Sequence, residues 1–180
     1  FVDARLAKKV VIITDTLVPY PCCPASIGQR YVDYVVEVEQ IGDPAKIGAG
    51  AARLTKNPRD LAIAQQVADV IAACSLFREG FSFQTGAGAI SIACTKFLSQ
   101  RMAEQRVTAS FALGGITAAI IDMYDAGQIR TVECSQSFDA VAAKAIWDRP
   151  GVVEIDNAAY SNAFSRGSFL DRLDFGVLGA

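Results

Sequence analysis

Three short stretches carry the residue types that ligand chemistry needs. Residues 84–88 read Gln-Thr-Gly-Ala-Gly, residues 113–117 read Leu-Gly-Gly-Ile-Thr, and residues 134–139 read Cys-Ser-Gln-Ser-Phe-Asp. Each follows an apolar run and precedes a stretch of helical spacing. A helix N-terminus offers unbonded N–H groups and a partial positive charge, and glycine lets an anion approach the backbone closely. The candidate substrate-binding residues are therefore Gln84, Thr85, Gly86 and Gly88 at the first junction, Gly114 and Gly115 at the second, and Gln136 and Ser137 at the third. A plainer reading stays open at each. Residues 86–88 could be an ordinary strand-to-helix turn, Gly114 and Gly115 could allow close packing, and Ser137 could be a helix N-cap. The stretch Asn157–Asn162, which contains Tyr160, reads as a solvated polar loop after a strand.

Several kinds of chemistry are missing. The chain has no histidine, which removes Ser-His-Asp and Cys-His nucleophile pairs and histidine zinc sites from this stretch. Acid–base work here would fall to carboxylates, lysine or tyrosine. The acids Glu79, Asp122, Glu133 and Glu154 stand apart from one another, so no general base is assigned and the catalytic residues stay unknown. Against a dinucleotide fingerprint the first junction is incomplete. Its third glycine position holds Ser91, and no acid closes the following strand. A Walker A loop is absent. The five cysteines are odd in number and form no C-x-x-C, which suits a reducing cytoplasm, and no metal site is expected.

The elements that must position these junctions follow from periodicity. Residues 8–14, Lys-Lys-Val-Val-Ile-Ile-Thr, read as a buried strand, and 31–38 as a second. Proline and glycine mark 18–28 and 42–58 as loops. Asn57 as N-cap, Pro58 at the first helical position and Asp60 in the first turn open a helix with the apolar stripe Ile63, Val67, Val70, Ile71 and Cys74. A second helix follows Gly88, with Ile90, Cys94, Phe97, Leu98 and Met102 on one face. Strand 108–113, a helix carrying Ile116, Ile120, Met123 and Tyr124, strand 130–134, a helix from Ser137 to Trp147, strand 152–155 and strand 173–179 complete the alternation. That pattern predicts an α/β fold with a mostly parallel sheet and helices on both faces. Three such junctions would then share one sheet edge, where open α/β sheets bind ligands.

At 180 residues, with 52% hydrophobic and 20% charged residues, the chain is long and apolar enough for one substantial core. A net charge of -2 without a basic run argues against nucleic-acid binding. No apolar run reaches the roughly 18 residues a membrane span needs. The chain opens on Phe1 in mid-pattern, so we expect a segment of a longer protein, with part of the site elsewhere.

Taken in order, FQTGAGAISIACTKFL, FALGGITAAIIDMYDAGQI, QSFD and LDFGVLGA, together with LVPYPCCPASIGQRYVDYVVEVEQIGDPAKIGAGAARLTKNP, resemble the alpha subunit of citrate lyase. The resemblance implies a CoA-transferase-like (NagB/RpiA-like) second domain over 57–180, with 1–56 as the interdomain region and the end of a preceding domain. It implies a citrate CoA-transferase that exchanges acetyl for citrate on the thioester of the acyl-carrier subunit. No cofactor would bind directly. The reacting group would be the carrier's phosphoribosyl-dephospho-CoA. Implied partners are citrate, acetate and the beta and acyl-carrier (gamma) subunits, in a cytoplasmic complex within which the chain is a homo-oligomer. Several relatives in the wider superfamily carry a catalytic glutamate after the strand equivalent to 108–113. Here that junction reads FALGGIT, so no glutamyl-CoA intermediate is expected there. A citramalate lyase alpha subunit, an NAD(P)-binding α/β domain and a non-catalytic assembly domain are the alternatives.

Overall fold

The computed structural model describes residues 2–20, 25–43, 53–161, 168 and 170–177. Its helices are α1 (Val2–Leu6), α2 (Pro58–Ala73), α3 (Ala89–Gln105), α4 (Ala118–Asp125), α5 (Ala140–Asp148) and α6 (Asn157–Ser161). The strands are β1 (Val11–Thr14), β2 (Tyr34–Glu37), β3 (Ser82–Thr85), β4 (Ala109–Ile116), β5 (Ile129–Ser137), β6 (Val152–Glu154) and β7 (Phe175–Val177). Strands β3 to β7 form one five-stranded, all-parallel sheet in the order β6-β5-β4-β3-β7, and β1 and β2 form a separate parallel pair.

The order explains where the helices lie. From β3 to β6 each crossover steps the same way, and right-handed crossovers in one direction put α3, α4 and α5 on one face. There α3 packs on α4 and α4 on α5, while α2 lies against α3. After β6, α6 lies on the opposite face, where Tyr160 meets Gln84. Register separates the two faces. Phe83, Ala112, Val132 and Val152 align beneath the helix layer, and Gln84, Leu113, Glu133 and Val153 align on the other side.

The start of α2 forms as its sequence predicts. The Asn57 side chain accepts the Arg59 N–H at 2.9 Å, and Pro58 occupies the first turn. The buried face of α2 differs from the expected stripe. Ala64, Ala68 and Ile71 face inward, whereas Ile63 and Val70 are exposed. Small alanines let α2 approach α3 closely, so the larger residues flank the contact instead of filling it. Phe77, Phe81, Phe83 and Phe175 then tie β7 to β3, with ring centroids 4.9 to 5.9 Å apart. Burying each such ring contributes about 2–3 kcal/mol.

Two expectations fail at the margins. Residues 8–14 are no buried strand. Only 11–14 pair, and Val11 and Ile13 are 51% and 56% exposed. A β-branched run sets strand propensity, but burial needs a second layer, and no described element covers this pair. The polar stretch after β6 begins as α6. Residues 162–167, residues 44–52 of the loop read at 42–58, and Cys22 and Cys23 lie outside the described residues.

Candidate functional site

The carboxyl ends of β3, β4 and β5 stand side by side, and the three junctions singled out above meet there. Their interiors differ from a row of glycine turns. Gly114 and Gly115 are not a turn at all, because β4 continues through both to Ile116. Ile116, expected on the α4 face, is therefore the last strand residue. A bulge falls at this point: Gly114 pairs with Cys134 and Gly115 with Gln136, leaving Ser135 as the extra residue.

The two glycines serve different steric needs. Gly114 has φ +104°, and a Cβ there would lie 2.9 Å from Cδ and 3.0 Å from Nε2 of Gln84. Its lack of a side chain leaves the space in which the Gln84 carboxamide rests. A Cβ on Gly115 would lie 1.9 Å from the Phe138 ring, so Gly115 makes room for an aromatic side chain.

Gln84 is a buried polar group at this edge. It is 8% exposed, and its Oε1 accepts the Tyr160 hydroxyl at 3.1 Å. Thr85 turns the other way, into the sheet–helix interface, with its hydroxyl 2.9 Å from that of Thr95. The Gly86 N–H is spent on the Val177 carbonyl at 2.9 Å, which closes the β3–β7 ladder. Gly88 is the N-cap of α3 and supplies no side-chain cap of its own. Ser91, at the third position of the incomplete fingerprint, is fully buried.

At the third junction Ser137 is not the N-cap. It ends β5, with its Oγ 3.5 Å from Cys134 Sγ, while Gln136 is exposed. The cap is Asp139, and it serves two helices. Its Oδ1 accepts the Ala142 N–H of α5 at 2.8 Å, and its Oδ2 accepts the Ala118 N–H of α4 at 2.7 Å. One carboxylate thus satisfies orphan donors at both N-termini, which displaces Ser137 from that role.

Distant residues complete the rim. Ser26 donates to Glu154 Oε2 at 2.5 Å, and Arg5 pairs with Asp156 at 2.6 Å. Asp156 in turn accepts the Ala159 N–H at 2.7 Å, which caps α6 and holds Tyr160 in place. Tyr160 is the residue that sequence reasoning left in a loop. Its partner lies 76 positions away, a pairing that no local pattern encodes.

The titratable groups narrow the chemistry. Burial pushes the Cys94 thiol up to about 11 and raises that of Cys134, so neither is a ready thiolate nucleophile. Glu79 sits at the amino ends of the strands, paired with Arg130 at 2.6 Å, far from this edge in the direction of the chain. Burial raises the Glu133 carboxyl, more than Thr131 and the Arg172 charge lower it. A carboxyl raised on folding costs stability once pH climbs through its ordinary value, and costs nothing when protonated. Glu133→Gln should therefore raise the melting temperature at pH 7, and the gain should shrink towards pH 4. A gain that is equal at both pH values would refute this account. Among the described residues no group of His, Cys, Asp or Glu could hold a metal ion, and no helix is long and apolar enough to cross a membrane.

Comparison with known proteins identifies relatives of the whole chain. The family model described as "Citrate lyase, alpha subunit" matches residues 1–180. The citrate lyase alpha chain of Escherichia coli (strain K12) is 50% identical over 179 residues, covering 99% of this chain and 35% of the relative. That of Klebsiella pneumoniae is 48% identical, again over 35% of its length. This chain thus spans about a third of the curated relatives it matches. Among solved structures, the alpha subunit of citrate lyase from Streptococcus mutans, in complex with citrate, superposes with a TM-score of 0.86 at 45% identity, over 99% of this chain and 35% of that one. The malonate decarboxylase alpha subunit from Acinetobacter baumannii superposes with a TM-score of 0.51 at 16% identity over 88% of this chain and 31% of that one, a likeness of fold alone.

Proposed function

Because the chain belongs to the citrate lyase alpha-subunit family, we propose that it forms one wall of a citrate CoA-transferase active site. The observation that carries this reading is the meeting of three strand ends at one sheet edge, with the Gln84 carboxamide resting on Gly114. The edge offers hydrogen-bond donors, namely the Gln84 amide and the N–H groups of Ala89 and Ile90 at the start of α3. A polycarboxylate and a thioester carbonyl both need donors.

The reaction is an exchange on the acyl-carrier subunit. A citrate carboxylate oxygen adds to the acetyl thioester carbonyl and the carrier thiolate leaves. That thiolate then adds to the citryl carbonyl, and acetate leaves. Each addition places negative charge on an oxygen, which donors at this edge stabilise. The β4 junction offers no carboxylate of its own to take CoA covalently, which favours direct transfer within a ternary complex. The beta subunit would then cleave the citryl thioester to oxaloacetate.

In this reading Gln84, Gly88, Gly114 and Gln136 face substrate or the carrier's phosphoribosyl-dephospho-CoA arm, while Thr85, Gly86, Gly115 and Ser137 shape the wall behind them. Residues 57–180 are the second domain, and 1–56 the interdomain region with the end of the preceding domain. The remainder of the subunit completes the site, within a cytoplasmic complex that contains the acyl-carrier and beta subunits.

Gln84→Ala in the full-length subunit tests the assignment by acetyl/citryl exchange on the acyl carrier. Losing a hydrogen bond to a charged group should lower exchange about tenfold to a hundredfold, with the melting temperature largely kept. Undiminished exchange would remove Gln84 from the site. Running citramalate beside citrate identifies the preferred acid, and faster transfer to citramalate would replace citrate in this reading.

A further inference from the structure

We infer that Tyr160 is a positioning residue: by holding the oxygen of the Gln84 carboxamide, it presents the NH2 group to the substrate and makes this junction select a carboxylate oxygen. The inference rests on the reading of Gln84 as a substrate contact.

A carboxamide has two chemically opposite edges, an acceptor oxygen and a donor nitrogen. Facing a substrate carboxylate, the oxygen would repel and the nitrogen would bind. The side chain can present either edge by a half-turn, so an isolated glutamine selects poorly. Here Tyr160 donates to Oε1 at 3.1 Å, which satisfies the acceptor edge. Nε2 donates to none of the described residues, and no buried side-chain nitrogen or oxygen among them lacks a partner. The donor edge is therefore the one left for a ligand.

The amide is also restrained sideways. Gly114, at φ +104°, leaves no room for a side chain beside it, with Cδ and Nε2 only 2.9 and 3.0 Å from where a Cβ would stand. The tyrosine is held in its turn. It lies on α6, whose first turn is capped by Asp156, and Asp156 pairs with Arg5 at 2.6 Å. A contact from the β6–β7 connection thus sets the polarity of a group on β3.

The test uses the full-length subunit with Tyr160→Phe, Gln84→Ala and the double variant, measuring kcat and KM for citrate separately, together with thermal unfolding. Tyr160→Phe should raise the KM for citrate about tenfold with the melting temperature nearly unchanged, since one hydrogen bond is lost and the ring remains. Added to Gln84→Ala, it should have no further effect, because there is no amide left to orient. A Tyr160→Phe penalty of equal size in both backgrounds would show that Tyr160 acts independently of Gln84 and would overturn the inference. An unchanged KM in Tyr160→Phe beside a raised KM in Gln84→Ala would also overturn it, while leaving the site reading intact. Undiminished activity in Gln84→Ala would remove the site reading first, and this inference with it.

Discussion

Gly115→Val is expected to destabilise the fold, not merely to lower activity. Even the single Cβ of alanine at this position would lie 1.9 Å from Cε2 of Phe138 and 2.8 Å from its Cδ2 and Cζ. No real contact survives at that distance, so the ring would have to leave its place against β4. Overpacking of this kind costs about 1–3 kcal/mol, and occasionally more. Valine adds two methyl groups at a bulge where β4 and β5 already shift register. Against a typical stability of about 5–15 kcal/mol, a loss of about 3 kcal/mol removes a fifth or more of the margin. The check is urea or thermal unfolding of Gly115→Ala and Gly115→Val, each with and without Phe138→Ala. Removing the ring should make the glycine substitution much cheaper, because the two residues occupy one space. If Gly115→Ala is as stable as the parent protein, the packing explanation is wrong. Lost activity in Gly115→Val alone would therefore report a broken strand and say nothing of substrate approach.

Asp139→Ala should destabilise the protein by about 1–4 kcal/mol, twice the usual effect of losing an N-cap. The doubling comes from geometry. One carboxylate oxygen accepts from Ala142 of α5 and the other from Ala118 of α4. Alanine strands both donors and removes a negative charge from two helix N-termini. Asp139→Asn keeps one acceptor oxygen and should fall about midway. Chemical denaturation of the three proteins settles the matter. An asparagine variant as stable as the parent would mean that only one of the two bonds contributes. Since Phe138 and Asp139 are neighbours, their effects should not simply add.

These two residues also mark how far the sequence could be read. The alternation of apolar runs and helical stripes announced an α/β fold with a parallel sheet, and the resemblance in its ordered motifs pointed to the same family that the comparisons identify. Both signals are local or sequential, so a linear reading recovers them. The α2 cap at Asn57 was legible for the same reason, since its donor lies two residues away. The misreadings at Ser137 and at Gly114-Gly115 share another cause. Serine before a helix and paired glycines are strong local signals for a cap and a turn. Neither could show that Asp139 reaches two helices or that β4 runs on through its glycines.

What the sequence alone determined is the order of the elements, their types and the placing of three polar junctions at strand ends, because hydrophobic period and chain order set those. What only the tertiary structure decided is which junction residues face outward. Thr85 turned to Thr95, Gly86 closed a ladder and Gly115 gave way to a ring, while Gln84 met Tyr160. The physical reason is that a side chain's partner is chosen by packing among residues far apart in the chain. Burial in the same way turned Ala64 and Ala68 of α2 inward and left Val11 and Ile13 exposed. Propensity and period act through neighbours in sequence. The binding edge is made by neighbours in space.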